Sequence, residues 1–256
     1  MNPGPEVQPL VISAPFGNYV HPPGTTPTLG TYTAARRGGR PAAFGRALLT
    51  VRYYRRLGAW VNRIGLRNPG IDRLGDGPRI QQSIVSIHGF EPADWTYLLR
   101  RIAKITPLAV ELNISCPNVG EMSWPSTLFD DALATGVPVI VKLPPIRFEK
   151  LAGDAAASGV TWFHACNTLP VPRGGMSGAP LLPLSIACVR WLRSELGLEA
   201  MIIGGGGIRS PQDVEEFAAA GADRFAIGSL AMRPSALMSD RWVADIREAA
   251  RSAIPR

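Results

Sequence analysis

Within ten residues, Glu111 to Gly120, the chain passes from an apolar run beginning at Leu108 into two carboxamides, a hydroxyl and a thiol: ELNISCPNVG. A strand end needs one turn residue, not a thiol set between Asn113 and Asn118. Cys116 is therefore either a small apolar filler beside a turn or a group that does chemistry. The flanking amides donate and accept at once, so they can read a polar ring without adding net charge.

Two further features carry chemistry. Of 27 basic residues only Lys104, Lys142 and Lys150 are lysines, and Lys142 follows the β-branched run VPVIV. Its stem would pack while its ammonium points at a ligand, an anionic or electron-rich cofactor edge suiting the charge; a snorkelling surface lysine is the bland alternative. The second feature is Gly204 to Gly207 followed by Arg209, Ser210 and Pro211. Ser210 suits an N-cap, Pro211 the first helical position, and Asp213 the positive end of the dipole. Glycines also merely let a chain turn. Paired with Gly228-Ser229 one strand later, they point to a phosphate site.

These groups need a scaffold that brings them together. Short apolar runs recur at 10–13, 30–33, 83–87, 108–114, 137–143, 160–165, 200–204 and 223–228. Helical periodicity separates several of them, at 94–105, 185–196 and 211–221. Strands alternating with amphipathic helices make βαβ units and a parallel sheet. Eight strands in this length predict an α/β fold of the (β/α)8 TIM-barrel type, whose ligand groups sit at the C-terminal strand ends. An open doubly wound sheet would carry its glycine turn after the first strand, whereas here it follows a late one. Residues 53–82, rich in Arg and Gly, are expected as loops and short helices at one barrel end. One domain spanning 1–256 is expected, with 1–8 as a loose N-terminal arm.

Composition narrows the classes. Apolar residues make up 46% and charged residues 18% of 256, which describes a chain with a sizeable core. Cys116, Cys166 and Cys188 are far apart, without the paired spacing of a zinc or iron–sulfur site, so no metal is expected, and three unpaired thiols fit a reducing compartment. No stretch approaches the ~20 apolar residues of a membrane span, and no secretory signal is visible, so the location is expected to be cytoplasmic. Eleven arginines between Arg36 and Arg79 face only Asp72 and Asp76. That cluster suits an anionic partner, but no RNA-binding or zinc-finger motif accompanies it, and nucleic acid is not the expected ligand.

In their order, ELNISCPNVG, VIVKLPP, NT…GGMSG, IIGGGGI and AIGS resemble the dihydroorotate dehydrogenases, with NRIGLRNPGID (62–72) and PLVISAPFGN (9–18) extending the likeness over about 9–235. The resemblance implies an FMN enzyme oxidising dihydroorotate to orotate, or acting on a related cyclic amide or enone. It implies Cys116 as general base, as in the soluble class, with Lys142 and Asn113 also catalytic. FMN would be held by Ala14, Asn113, Lys142, Asn167, Gly178, Gly206, Gly207, Gly228 and Ser229. Asn62, Asn68, Asn118 and Thr168 would hold substrate. A separate electron-transfer subunit and a homodimer are both compatible with it. The sequence departs from the family at Ala34 or Ala35, where a lysine is usual, with Arg36 and Arg37 nearby, and the loops are shorter. His88 is either a new ligand group or a strand-end structural residue. An inert flavin- or phosphate-binding barrel is the alternative.

Overall fold

A computed structural model describes residues 6–38, 50–115, 124–232, 236 and 239–254. In chain order the strands are β1 Leu10–Ile12, β2 Thr25–Tyr32, β3 Arg52–Tyr54, β4 Ala59–Asn62, β5 Ile84–Ile87 and β6 Ala109–Leu112. They continue as β7 Val139–Leu143, β8 Trp162–Ala165, β9 Leu169–Val171, β10 Gly174–Gly178, β11 Met201–Gly205 and β12 Arg224–Ile227. The α-helices are α1 Pro78–Gln81, α2 Pro92–Ile105, α3 Leu128–Leu133, α4 Glu149–Ala157, α5 Leu182–Leu196, α6 Pro211–Ala220 and α7 Ala244–Ser252.

Strands β1, β2, β5, β6, β7, β8, β11 and β12 close into a barrel in that order, every neighbour parallel. All eight runs expected from the sequence supply a barrel strand. Alternate residues of a strand face opposite sides. Val11, Ile84, Ala109, Ile140, Trp162, Ile203 and Ala226 accordingly pack as an apolar plug inside the lower barrel. Their neighbours Val85, Val110, Val141, Phe163, Ile202 and Phe225 join the shell between barrel and helices. Of the arm expected to be loose, Val7 is buried in the plug and its carbonyl accepts from Arg224 Nε at 2.9 Å, while Gln8 N–H donates to Thr26 Oγ1 at 2.8 Å.

Helix α2 shows why the helices lie where they do. Trp95, Leu98, Leu99, Ile102 and Ile105 recur at helical spacing and are all buried, forming one stripe against the barrel. Each such side chain stabilises the fold by about 1.5–3 kcal/mol. At α6 the expected cap is present: Asp213 N–H donates to Ser210 Oγ at 3.3 Å and Ser210 N–H donates to Asp213 Oδ2 at 2.9 Å.

The stretch 53–82 differs from expectation. It does contain α1 and 3-10 turns at Arg55–Leu57 and Ile71–Arg73, but it also supplies strand β4 and most of β3. These join β10 and β9 in a second, antiparallel sheet of order β3-β4-β10-β9. Arg52 and Tyr53 of β3 are exposed, so the apolar alternation that announces a strand is missing there. The new sheet is tied to the barrel's helical layer where Ala179 N–H, just before α5, donates to Gly58 O at 3.1 Å.

Candidate active site

Because all barrel strands are parallel, successive inward residues climb from the plug towards one rim. On β6 the inward positions are Ala109, Glu111 and then Asn113 beyond its end; on β7, Ile140 and Lys142; on β8, Trp162 and His164. Strand register sets Ser86 beside Glu111 and Lys142 beside His164. The apolar plug thus gives way to a charged layer, and above it to amides and hydroxyls.

In the upper layer Asn113 Nδ2 donates to Thr31 Oγ1 at 2.9 Å, and Thr31 Oγ1 lies 3.0 Å from Ser86 Oγ. Asn167 Nδ2 donates to Asn113 Oδ1 at 2.8 Å and lies 3.3 Å from Ser115 Oγ. Ser115 Oγ donates to the Lys142 carbonyl at 2.7 Å. Four strand ends, those of β2, β6, β7 and β8, are stitched together by buried side chains. Each amide nitrogen has two hydrogens and each amide oxygen two lone pairs, so Asn113 keeps capacity for a ligand.

In the charged layer the Glu111 carboxylate lies between Lys142 Nζ at 3.5 Å and His164 Nδ1 at 2.6 Å. Burial works against a charged carboxylate, but the ammonium of Lys142, then the His164 ring, outweigh it and hold Glu111 down at about 2. His164 is pushed below the ordinary imidazole value, first by burial and then by the Lys142 charge. It is a neutral ring whose Nδ1–H donates to Glu111. Lys142 keeps further N–H donors, since an ammonium has three.

The turn after β11 is shaped by contacts that only glycine permits. Gly206 and Gly207 have φ of +100° and +106°, and an added Cβ would lie 2.5 Å from Ser185 Oγ at the first and 2.9 Å from Leu182 N at the second. This lays the turn against the first residues of α5. Gly228, after β12, has room: a Cβ there would come no nearer than 3.7 Å, to Ser13. Gly178 has φ +100° and abuts the Gly58 carbonyl, so sheet packing alone explains that glycine. Beside it the Ser177 hydroxyl is buried without a partner, a polar group fit for a ligand. Ala14 and Ser229 follow β1 and β12 on the same rim, where Ser13 N–H donates to Ile227 O at 2.9 Å.

Asn62 ends β4, paired with Gly175 of β10, and Thr168 N–H donates to Asn167 Oδ1 at 2.9 Å. Asn68 is committed locally: Nδ2 donates to Thr33 Oγ1 and Leu66 O, and Oδ1 accepts from Gly70 N–H at 2.8 Å. Cys116 and Asn118 lie outside the described residues. His88 Nδ1–H donates to the Asn113 carbonyl at 2.7 Å and its ring packs edge-on to Phe90 and Trp95, while Nε2 is buried without a partner. Ala34 packs against the core, and the Arg37 guanidinium sits 4.1 Å over the Phe90 ring. Cys166 is buried with Sγ 2.8 Å from Ser185 Oγ, and burial pushes its thiol up to about 12, so it stays protonated.

Glu111, His164, Thr31 and Ser86 were not expected at the site. The available signal is a charged residue inside the apolar run LAVELNI, two residues before Asn113, and a histidine inside VTWFHA, one residue before the strand's last position. Which residues meet across the barrel is a matter of strand register, and that is not legible in one strand.

A sequence model of the dihydroorotate dehydrogenase family matches residues 28–247. The chain is 30% identical over 201 residues to the catalytic subunit of a dihydroorotate dehydrogenase B (NAD(+)) from Oceanobacillus iheyensis, covering 66% of this chain and 66% of that protein. It is 32% identical over 204 residues to the same subunit from Bacillus cereus, covering 67% of this chain and 65% of that one. These matches span just under two thirds of the relatives' lengths. Two structures of a dihydroorotate dehydrogenase from Eimeria tenella share the fold. The ferulenol complex has a TM-score of 0.69 and the ligand-free form 0.71, each at 16% identity, covering 96% of this chain and 82% and 87% of theirs.

Proposed function

Because the chain belongs to the dihydroorotate dehydrogenase family, we propose that it is an FMN-dependent oxidoreductase acting on the CH–CH bond of dihydroorotate or a related cyclic amide or enone. The observation that carries this reading is the joined set Asn113, Asn167 and Lys142 at the barrel mouth, with glycine turns after β11 and β12 on the same rim. When bound, FMN would supply the hydride acceptor.

The residues suit that group. Gly206, Gly207, Gly228 and Ser229 would receive its phosphate, with Gly178 and the buried, unpartnered Ser177 hydroxyl beside them. Lys142 would face an electron-rich ring edge with N–H donors beyond the one directed at Glu111. Asn113 and Asn167 would hold ring and substrate atoms, and Ala14 would line the turn after β1. Asn62, Asn68, Asn118 and Thr168 would hold the substrate, Asn68 by the turn it braces.

Cys116 would take the proton from the carbon alpha to the substrate carbonyl. A thiol of ordinary pKa, about 8.5, needs little tuning to do so at neutral pH. Asn113 is held by Thr31 and by Asn167, so it would meet the substrate already oriented. Neither Ala34 nor Ala35 supplies a charge where the family usually has lysine, which would open the ring-binding side to substrates other than dihydroorotate. A separate electron-transfer subunit completes the reading, since the similar proteins are named as catalytic subunits of NAD(+)-dependent enzymes.

FMN titration tests the cofactor half. Flavin fluorescence should be quenched on binding to the wild type, and Lys142→Ala should weaken binding about tenfold or more. Unquenched FMN at micromolar protein would reject this function.

A further inference from the structure

Neither Glu111 nor His164 has a role in the proposed function, yet Glu111 is the most buried charged side chain among the described residues and the neutral His164 ring is buried against it. Their side chains are 1% and 2% exposed. A lysine at a barrel mouth needs no histidine two positions above a tryptophan plug. A Glu–Lys pair alone would be drawn tight, because in a low-dielectric interior the attraction grows as the charges approach. Here it is not tight: the carboxylate sits 2.6 Å from His164 Nδ1 and only 3.5 Å from Lys142 Nζ. The histidine holds one carboxylate oxygen closely, and the ammonium lies at the outer limit of hydrogen-bond distance from the other. The Lys142 main chain is fixed independently, because Ser115 Oγ donates to its carbonyl at 2.7 Å and Asn167 N–H donates to the Leu143 carbonyl at 2.8 Å.

We propose that His164 is a positioning residue: by holding Glu111, it keeps that carboxylate from collapsing onto Lys142 and so keeps the ammonium's charge turned towards the barrel mouth. The inference rests on the flavin reading for its functional consequence, since a cation beside the flavin favours the reduced, more negative form. It predicts that loss of the Nδ1–H donor lets Glu111 close on Lys142 and offset that charge.

His164→Leu removes the donor at nearly constant volume, whereas His164→Asn keeps an N–H at the same branch of the side chain. In holoprotein, His164→Leu should bind FMN about tenfold more weakly. Its oxidised-to-reduced affinity ratio should also change about tenfold against the reduced form, a fall of about 30 mV for a two-electron couple. His164→Asn should retain wild-type potential. A purely packing role moves the melting temperature of both variants and leaves the potential unchanged, and that result overturns the proposal. A flavin-free measurement separates this inference from the function it rests on. The chain has three lysines, so protein labelled at lysine Cε gives three assignable signals. The Lys142 signal should move in His164→Leu and stay in place in His164→Asn. An unmoved signal in His164→Leu overturns the inference even if FMN binds, whereas a wild type that takes up no FMN rejects the function and leaves this signal to decide the clamp.

Discussion

Asn167 donates a hydrogen bond from its side-chain nitrogen to the side-chain oxygen of Asn113 at 2.8 Å, joining the ends of two barrel strands 54 residues apart in sequence. Both side chains are buried, so neither can trade this bond for water. Asn113→Ala or Asn167→Ala takes from the other amide the partner of one buried polar atom, and each should lower stability by about 1–3 kcal/mol in urea unfolding. The double variant should lose less than the sum, because both singles break one shared bond. Strict additivity would show that the bond contributes nothing.

Stability should fall on the acid side, and Glu111 sets the direction. Its folded-state value, about 2, lies below the ordinary 4.5, so its contribution is full above about 4.5 and is lost as pH falls towards 2. That shift corresponds to an upper bound on the order of 3 kcal/mol. His164 acts in the same direction: its folded value is lowered, so the unfolded chain binds the proton first and stability declines below the ordinary imidazole value of 6.5. Urea midpoints between pH 3 and 8 should drop steeply in the wild type and flatten in Glu111→Gln. An equally steep drop in that variant would remove Glu111 as the cause.

Three glycines on the rim should respond differently to alanine. Gly206→Ala and Gly207→Ala place a Cβ against Ser185 and Leu182 in a left-handed backbone, and should destabilise by more than 1 kcal/mol or so. Gly228→Ala meets Ser13 at 3.7 Å and Phe16 at 4.0 Å, both ordinary contacts, and should leave the melting temperature nearly unchanged. If Gly228 faces the FMN phosphate, the same substitution should still weaken flavin binding. Unaltered binding in a stable Gly228→Ala protein would take that residue out of the phosphate site.

Cys116 is tested by rate. In stopped-flow measurements, Cys116→Ser should slow substrate-driven flavin reduction about 100-fold or more near neutral pH, since a hydroxyl is a far poorer base than a thiolate. FMN affinity should be unaffected. An unchanged reduction rate would assign the proton to another group.

Much of this was legible because barrel strands are buried on both faces and read as β-branched runs, each ending in polar residues. Helix α2 was legible from the spacing of Trp95, Leu98, Leu99, Ile102 and Ile105, and α6 from Ser210 and Asp213. Helix α4 was not, because its buried residues are only Ala152 and Ala155, and α3 has six residues in all. Strand β10 hides behind the glycines of GGMSG, which pack closely but carry no strand pattern. The amides at the mouth stood out as polar residues at strand ends. Glu111 and His164 did not, because their meaning lies in a pairing across two barrel strands that only closure of the barrel creates.

The proposed activity of this barrel is to oxidise or reduce a CH–CH bond through bound FMN. The most direct measurement is the anaerobic absorbance spectrum of FMN-loaded protein titrated with dihydroorotate and a panel of cyclic amides and enones. The FMN-loaded protein is predicted to show the visible absorbance band of oxidised flavin. Dihydroorotate or a reduced cyclic amide should bleach that band, or an enone should restore it after chemical reduction, and both effects should be lost in Lys142→Ala. A protein that keeps its flavin but leaves the band unchanged with every compound would contradict the account and favour a non-catalytic flavin-binding barrel.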